Sequence, residues 1–122
     1  MRILILEDDA VLGQTLEAVV LGVGGEVTCV HSLELAAQAL DGNQHFDVAV
    51  FDLNIKEEDS LSLLQNLKSK NARIKIVAMT GGGKIEPRVG LPLATAIGAD
   101  ETLFKPFTNE EFLNAISLKK VS

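Results

Sequence analysis

The sequence predicts an α/β domain in which five parallel strands form one sheet with helices on both faces. Short apolar segments alternate with stretches of helical character along the 122 residues. Some apolar segments, such as Arg2–Leu6, are continuous, which is typical of strands buried on both faces. Strands that alternate with helices form a parallel sheet through right-handed crossovers. Five such units favour a doubly wound (βα)5 sandwich with the strand order 2-1-3-4-5.

The composition indicates one globular domain over residues 1–122. Hydrophobic residues make up 47% of the chain, which argues against disorder. The net charge of −6, with scattered basic residues, argues against direct nucleic-acid binding. No apolar segment reaches the ~18 residues of a membrane span, so no membrane insertion is expected. Cys29 is the only cysteine. This favours a reducing cytoplasm, and its apolar surroundings predict a buried, inert thiol.

The five predicted strands are short segments rich in aliphatic residues. They are Arg2–Leu6, Val27–Val30, Phe46–Phe51, Ile74–Met79 and Thr102–Phe104. Directly after the first, third, fourth and fifth of them come Glu7, Asp52, Thr80 and Lys105. These four residues are therefore placed at the carboxyl ends of their strands.

The predicted helices begin at polar capping residues and bury an apolar stripe. Asp8 or Asp9 can cap the first helix and Ser32 the second, while Thr108 forms a capping box with Glu111 before the last. The apolar positions follow the helical period. They are Leu12, Leu16, Val19 and Val20 in the first helix; Leu33, Ala36, Ala37 and Leu40 in the second; Leu61, Leu64 and Leu67 in the third; and Phe112, Leu113 and Ile116 in the last.

The segment after the fourth strand is the least regular part of the sequence. It opens with Gly81–Gly83 and contains Pro87 and Pro92. Its weak periodicity predicts a short fourth helix that starts late, near Leu91–Ala99. The glycines resemble a phosphate-binding loop only superficially, because Ala78 replaces that motif's first glycine. A mobile loop over the site is the expected role of the glycines.

Three carboxylates are expected to meet at one edge of the sheet. Strands one and three are neighbours in the predicted order, so Glu7 and Asp8 come to lie beside Asp52. Two like charges ~4 Å apart repel by about 4 kcal/mol at an effective dielectric of about 20. A divalent cation would relieve this repulsion, and oxygen ligands favour Mg²⁺ or Mn²⁺. A solvated acidic helix start is the alternative for Glu7 and Asp8, but it leaves Asp52 unexplained.

Asp52 is the candidate reactive group of this edge. A carboxylate beside a bound metal can act as a nucleophile toward phosphorus and form an acyl phosphate. The Lys105 ammonium can pair with one phosphoryl oxygen, and the Thr80 hydroxyl can bond another. An ordinary turn is the alternative for Asp52 and Asn54, because Asp and Asn favour turns.

Four sequence motifs, in consistent order and spacing, together resemble a known family. They are Ile5–Asp9, Phe46–Asp52, Met79–Gly81, and Gly98–Asp100 leading into Lys105–Phe107. The sequence is similar there to the receiver domain of response regulators, as in bacterial two-component signalling. The resemblance runs along nearly the whole chain and implies the flavodoxin-like fold of the chemotaxis-regulator-like superfamily.

The resemblance also implies a metal-binding role for several residues. Asp52 would be the phosphoacceptor and a metal ligand, and Asp8 a direct ligand of Mg²⁺. Glu7 would act on the metal largely through water. Asn54 would give its backbone carbonyl to the metal.

Further implied roles concern the phosphoryl group and its readout. Thr80 and Lys105 would bind the phosphoryl group and report its arrival, and the bond before Pro106 would be cis. The chain departs from the family at Thr102, where an aromatic switch residue is common. Thr80 and Thr102 are therefore the switch positions, without an aromatic ring at the second.

Two further departures lie in the loops. Lys56 stands where the loop after the acceptor often carries Pro, and Ser60 where Gly is frequent. Thr80 and Lys105 are also slightly further apart than is usual in the family. The face formed by the fourth helix and the fifth strand is accordingly the least constrained part of the prediction.

The predicted function is that of a single-domain phosphoacceptor receiver in a two-component phosphorelay. It would take a phosphoryl group onto Asp52 from a histidine kinase or a histidine phosphotransfer protein. Output would be phosphorylation-dependent binding to an unidentified protein target, or onward phosphotransfer. We expect no enzyme activity beyond its own Mg²⁺-dependent phosphorylation and dephosphorylation. Both chain ends are interpreted as natural limits, with a piece of a longer regulator as the alternative.

Three alternative functions are weighed against this one. A docking module that never uses phosphorylation is the first, and Thr102 favours it. A phosphatase of the haloacid-dehalogenase type would need its nucleophile on the first strand and a second Asp where Asn54 stands. A flavin-binding protein would need aromatic side chains to flank the ring, and the chain has no Trp or Tyr.

Overall fold

The computed structural model describes residues 1–42, 45–55, 60–81 and 87–117, with the backbone alone for 87–91. Lys56 and most of the glycine loop after Gly81 lie outside the described residues. Among those that are described, no helix combines the length and apolarity that crossing a membrane requires.

Five strands and five helices alternate along the chain. The strands are β1 (Arg2–Leu6), β2 (Glu26–Val30), β3 (Val48–Asp52), β4 (Lys75–Thr80) and β5 (Glu101–Phe104). The helices are α1 (Ala10–Gly22), α2 (Leu33–Asp41), α3 (Ser60–Lys70), α4 (Pro87–Ala96) and α5 (Asn109–Ile116). All pairings are parallel and the strand order is β2-β1-β3-β4-β5. The predicted fold class and strand order are confirmed.

The sheet separates two apolar cores, which explains why its central strands are continuously apolar. In β1, Leu4 and Leu6 belong to the core beneath α2, α3 and α4, whereas Ile3 and Ile5 belong to the core beneath α1 and α5. All four side chains are fully buried. Alternate residues of a strand point to opposite faces, so each central strand contributes to both cores.

The predicted helix caps are confirmed, and they assign distinct roles to two adjacent aspartates. Asp9 is the N-cap of α1, and its carboxylate accepts hydrogen bonds from two backbone N–H groups of the first turn. Asp8 is therefore not the cap, and its side chain is exposed at the end of β1. Ser32 caps α2, and Thr108 forms the capping box with Glu111.

The fourth helix corrects one prediction. It spans Pro87–Ala96 rather than starting near Leu91. Pro87 is its first residue, where the missing N–H of proline costs nothing because that group has no partner within a helix. Pro92 lies inside the helix, where it has no N–H to donate. Because proline is unfavourable at such a position, the sequence predicts a later start for the helix. The helix ends before Gly98, whose φ of 127° is open to glycine but not to other residues without strain.

Cys29 is only partly buried, so the prediction of a buried thiol is wrong. It lies on β2, which pairs with β1 alone and forms an edge of the sheet. No residue of β2 is fully buried, because an edge strand is covered less completely than a central one. Burial still raises the pKa of the thiol, helped by the negative charges of Glu17 and Glu7.

Candidate functional site

The register of the sheet brings the candidate residues together at its carboxyl edge. Leu6 pairs with Phe51, so Glu7 follows β1 at the level where Asp52 ends β3. Asp52 pairs with Met79, which places Thr80 at the same edge on β4. The polar residues at the carboxyl ends of three neighbouring strands thus lie at the same edge of the sheet, as the strand order predicts.

Three carboxylates form a cluster there. One oxygen from each of Glu7, Asp8 and Asp52 lies within 4.8 Å of the other two. Glu7 is fully buried, Asp52 is buried and Asp8 is exposed, so the cluster opens to solvent on the Asp8 side. Carboxylate oxygens are the ligands that Mg²⁺ and Ca²⁺ prefer, so this donor set fits a hard divalent cation.

Lys105 supplies a positive charge to the cluster from within the chain. Its Nζ donates to Glu7 Oε1 at 2.6 Å and to Asp52 Oδ2 at 3.2 Å. Its backbone N–H donates to the Thr80 carbonyl at 2.8 Å, which aligns β5 with β4. A Cβ atom at Gly81 would lie 2.6 Å from the Lys105 Cβ atom, so only glycine permits this close approach.

The electrostatics of the cluster shift two pKa values. The pKa of Glu7 is raised from 4.5 to about 7, first by burial and then by a hydrogen bond to Asp52 and the charge of Asp52, while Lys105 opposes the shift. Burial alone would lower the pKa of Lys105. The hydrogen bond to Glu7 and the charges of Asp52 and Glu7 outweigh burial and raise that pKa above 10.5. Lys105 therefore stays charged at neutral pH.

Asp52 is held in place by groups that follow it in the chain. The Asn54 backbone N–H donates to Asp52 Oδ1 at 2.9 Å. The Asn54 side chain donates through Nδ2 to Oγ1 of Thr80, which is fully buried. The Ser60 hydroxyl at the start of α3 donates to the Asp52 backbone carbonyl at 2.8 Å. Both ends of the loop after β3 are thereby anchored to Asp52.

Ser60 is expected to contribute measurably to stability through this buried contact. Ser60→Ala should lower the free energy of unfolding by about 1 to 2 kcal/mol, because the variant loses a buried hydrogen bond at the end of β3. Urea unfolding monitored by circular dichroism measures the change. Ser69→Ala is the matched control, because Ser69 lies in the same helix and its Oγ donates to the carbonyl of Asn66 at an exposed position. Equal effects of the two substitutions would contradict the expectation.

One described residue at this edge is not assigned to the site by the sequence pattern. His31 Nδ1 lies 2.9 Å from the backbone oxygen of Glu7, and the only signal for it is that His31 directly follows β2. Phe104 is paired with Thr80 and its side chain is 55% exposed. Thr102 lies two residues further from the edge, opposite Ala78, so its role as a switch position stays a prediction.

The structure therefore unites most of the predicted site. Residues in contact or within one cluster are Glu7, Asp8, Asp52, Asn54, Thr80 and Lys105. The peptide bond between Lys105 and Pro106 is cis, as the resemblance implies.

Solved structures share this fold. A response regulator receiver domain protein from Methanospirillum hungatei superposes with a TM-score of 0.84 at 23% identity, over 94% of this chain and 89% of that one. A response regulator protein from Burkholderia pseudomallei superposes with a TM-score of 0.83 at 26% identity, over 96% of this chain and 66% of that one. The crystal structure of the Burkholderia protein contains a phosphorylated aspartic acid, a calcium ion and citrate.

Sequence comparison gives a consistent result. The transcriptional regulatory protein PmrA of Pectobacterium parmentieri is 31% identical over 111 residues, or 91% of this chain and 48% of that protein. PhoP of Escherichia coli K12 is 32% identical over 114 residues, or 93% of this chain and 49% of that protein. This chain thus spans about half the length of these relatives. The sequence model of the response regulator receiver domain matches residues 3–117, and the chain belongs to that family.

Proposed function

We propose that this receiver domain accepts a phosphoryl group on Asp52 and that this modification is its signal. The observation that carries the proposal is that Asp52 lies next to charges of both signs. Its carboxylate clusters with those of Glu7 and Asp8, where a metal ion could bind, and the Lys105 ammonium contacts Asp52 Oδ2 at 3.2 Å. A transferring phosphoryl group needs positioning and neutralisation of its charge, and both are supplied here.

The carboxylates of Asp8 and Asp52 and the backbone carbonyl of Asn54 would bind Mg²⁺ directly, and Glu7 would act on the ion largely through water. When bound, the ion would neutralise charge on the phosphoryl oxygens. The calcium ion in the phosphorylated relative from Burkholderia supports a divalent cation in this family. Because the pKa of Glu7 is raised to about 7, cation binding would compete with a proton on that carboxyl.

In the transfer step, a carboxylate oxygen of Asp52 forms a bond to phosphorus. The bond between phosphorus and the donor's imidazole nitrogen breaks, and its electron pair stays on that nitrogen. The product is an acyl phosphate on Asp52. Lys105 would then pair with a phosphoryl oxygen in place of the carboxylate oxygen, and Thr80 would donate its hydroxyl to another.

The donor would be a phosphohistidine of a histidine kinase or a phosphotransfer protein. Output would be binding to a downstream protein that recognises the phosphorylated form, or transfer of the phosphoryl group onward. The chain would act on no other substrate. Its relatives PmrA and PhoP are transcriptional regulatory proteins, which supports a signalling role. Phosphorylation-independent docking remains the alternative.

Phosphorylation with a small-molecule donor tests the proposal. Wild type incubated with acetyl phosphate and Mg²⁺ should gain one phosphoryl group in intact-mass spectrometry, as an acid-stable and base-labile adduct. Excess EDTA should suppress the reaction. Asp52→Asn should not react, because it lacks the nucleophilic carboxylate.

Asp47→Asn is the matched control, since Asp47 precedes the same strand at its opposite end and accepts a hydrogen bond from the Arg2 backbone. This variant should be labelled like wild type. Labelling of Asp52→Asn, or a wild type that reacts with neither acetyl phosphate nor any histidine kinase tested, would refute the proposal.

A further inference from the structure

Asn54 connects the acceptor to Thr80 through two different groups. Its backbone N–H donates to Asp52 Oδ1 at 2.9 Å, and its side-chain Nδ2 donates to Thr80 Oγ1. One residue of the loop after β3 thus contacts both the end of β3 and the end of β4. The side-chain contact is separate from the backbone carbonyl to which the family resemblance gives a metal-binding role.

We infer that the Asn54 side chain is a positioning residue, which orients the Thr80 hydroxyl toward a phosphoryl group on Asp52. The inference rests on the proposed function and deepens it, because it assigns a role to a side chain that neither touches the metal nor reacts. Asn54 acts through Thr80, and Thr80 contacts the phosphoryl group.

The chemistry of the hydroxyl group explains the effect. A hydroxyl oxygen that accepts a hydrogen bond keeps its own hydrogen as a donor, and the accepted bond restricts the directions in which that hydrogen points. Thr80 is fully buried, so bulk water does not replace the contact with Asn54. A donor amide at position 54 therefore leaves Thr80 suited to donate to an anionic oxygen.

A carboxylate at position 54 would reverse this polarity. An ionised Asp side chain has nearly the shape of Asn but only accepts hydrogen bonds. In Asn54→Asp, Thr80 would donate its hydrogen to the new carboxylate rather than to the phosphoryl group. The variant would also add a negative charge close to the acidic cluster. Asn54→Asp should therefore impair phosphorylation more than Asn54→Ala.

A double-mutant cycle tests the inference on the full chain. The initial rate of Asp52 phosphorylation by acetyl phosphate is measured at saturating Mg²⁺ for wild type, Asn54→Ala, Thr80→Val and the double variant. Each single substitution should slow the reaction about fivefold, the effect of losing one hydrogen bond. The double variant should be no slower than Thr80→Val, because Asn54 acts only through the hydroxyl.

A Thr80→Ser background keeps a hydroxyl at position 80. It therefore distinguishes an effect of Asn54 through that hydroxyl from a merely structural effect of Asn54. In a Thr80→Ser background, Asn54→Ala should again slow the reaction about fivefold. Circular dichroism checks that each variant folds, and Thr80→Ala replaces Thr80→Val if the latter does not.

Three outcomes would overturn the inference, and two of them would do so while leaving the proposed function intact. A double variant slower by about 25-fold would show independent effects and overturn this inference alone. Asn54→Asp reacting as fast as wild type would also overturn it alone. A wild type that takes no phosphoryl group would overturn the proposed function and this inference together.

Discussion

Replacing Lys105 with methionine should lower the free energy of unfolding by about 3 kcal/mol at about pH 8 without divalent cations. Lys105 is the cation that contacts both Glu7 and Asp52. Its removal leaves two buried carboxylates without their ionic partner, and breaking a buried ion pair from one side costs about 3 to 5 kcal/mol. We expect the lower end, because the Lys105 side chain is 22% exposed.

Two conditions should reduce the loss. Mg²⁺ should restore part of it by compensating the carboxylates. Acidic pH should restore part of it by protonating Glu7, whose pKa is already raised to about 7. Urea unfolding at about pH 5 and about pH 8, with EDTA or Mg²⁺, measures both effects.

Lys68→Met is the matched control. The Lys68 side chain is 24% exposed, close to the value for Lys105, and it pairs with Asp100 at 3.0 Å. Asp100, however, is 40% exposed, so that pair should contribute about 1 kcal/mol or less. Lys105→Arg should retain more stability than Lys105→Met because it keeps the charge. If both methionine variants lose the same stability, burial of the carboxylates is not what makes Lys105 important.

The stability of the metal-free protein should fall as pH rises from about 4.5 to above 7 because of Glu7. In the folded state the pKa of Glu7 is raised from 4.5 to about 7 by burial and by Asp52. The folded protein then binds the proton more tightly than the unfolded chain does. The stabilising contribution of the protonated form is complete below pH 4.5 and is lost as pH rises through about 7. The shift corresponds to roughly 3 kcal/mol.

Glu7→Gln isolates this contribution. Unfolding free energies of wild type and Glu7→Gln are compared between about pH 4.5 and about pH 8.5 in EDTA. Their difference should change with pH by about 3 kcal/mol, since glutamine does not titrate. Asp52→Asn should retain a smaller pH dependence, because burial of Glu7 remains when the charge of Asp52 is gone. Parallel curves for wild type and Glu7→Gln would show that Glu7 titrates normally.

Most of the site could be predicted because it depends on where strands end. Continuous aliphatic segments mark the central strands, and parallel pairing puts their last residues at one edge. This pattern alone predicts the positions of Glu7, Asp52, Thr80 and Lys105, because none of them depends on the path of a loop. Asp8 and Asp9 could be distinguished only in the structure, where Asp9 turns its carboxylate to the N–H groups of α1.

Contacts that depend on the path of a loop could not be predicted. Ser60 lies at a helix start eight residues after Asp52, and its contact with the Asp52 carbonyl depends on how the start of α3 is placed against the end of β3. The contact between Asn54 and Thr80 likewise depends on side-chain direction. The sequence predicts too late a start for α4 because Pro87 and Pro92 argue against a helix there, although Pro87 is compatible with a first helical position.

The ion pair between Lys105 and Glu7 joins residues separated by 98 positions. Glu7 and Asp52 belong to the first half of the chain, whereas their compensating cation arrives only with the final strand. During synthesis, a nascent chain that has reached only β4 therefore has these acidic groups without their internal counterion. Because closing so long a loop is entropically costly, we expect this ion pair to form late in folding.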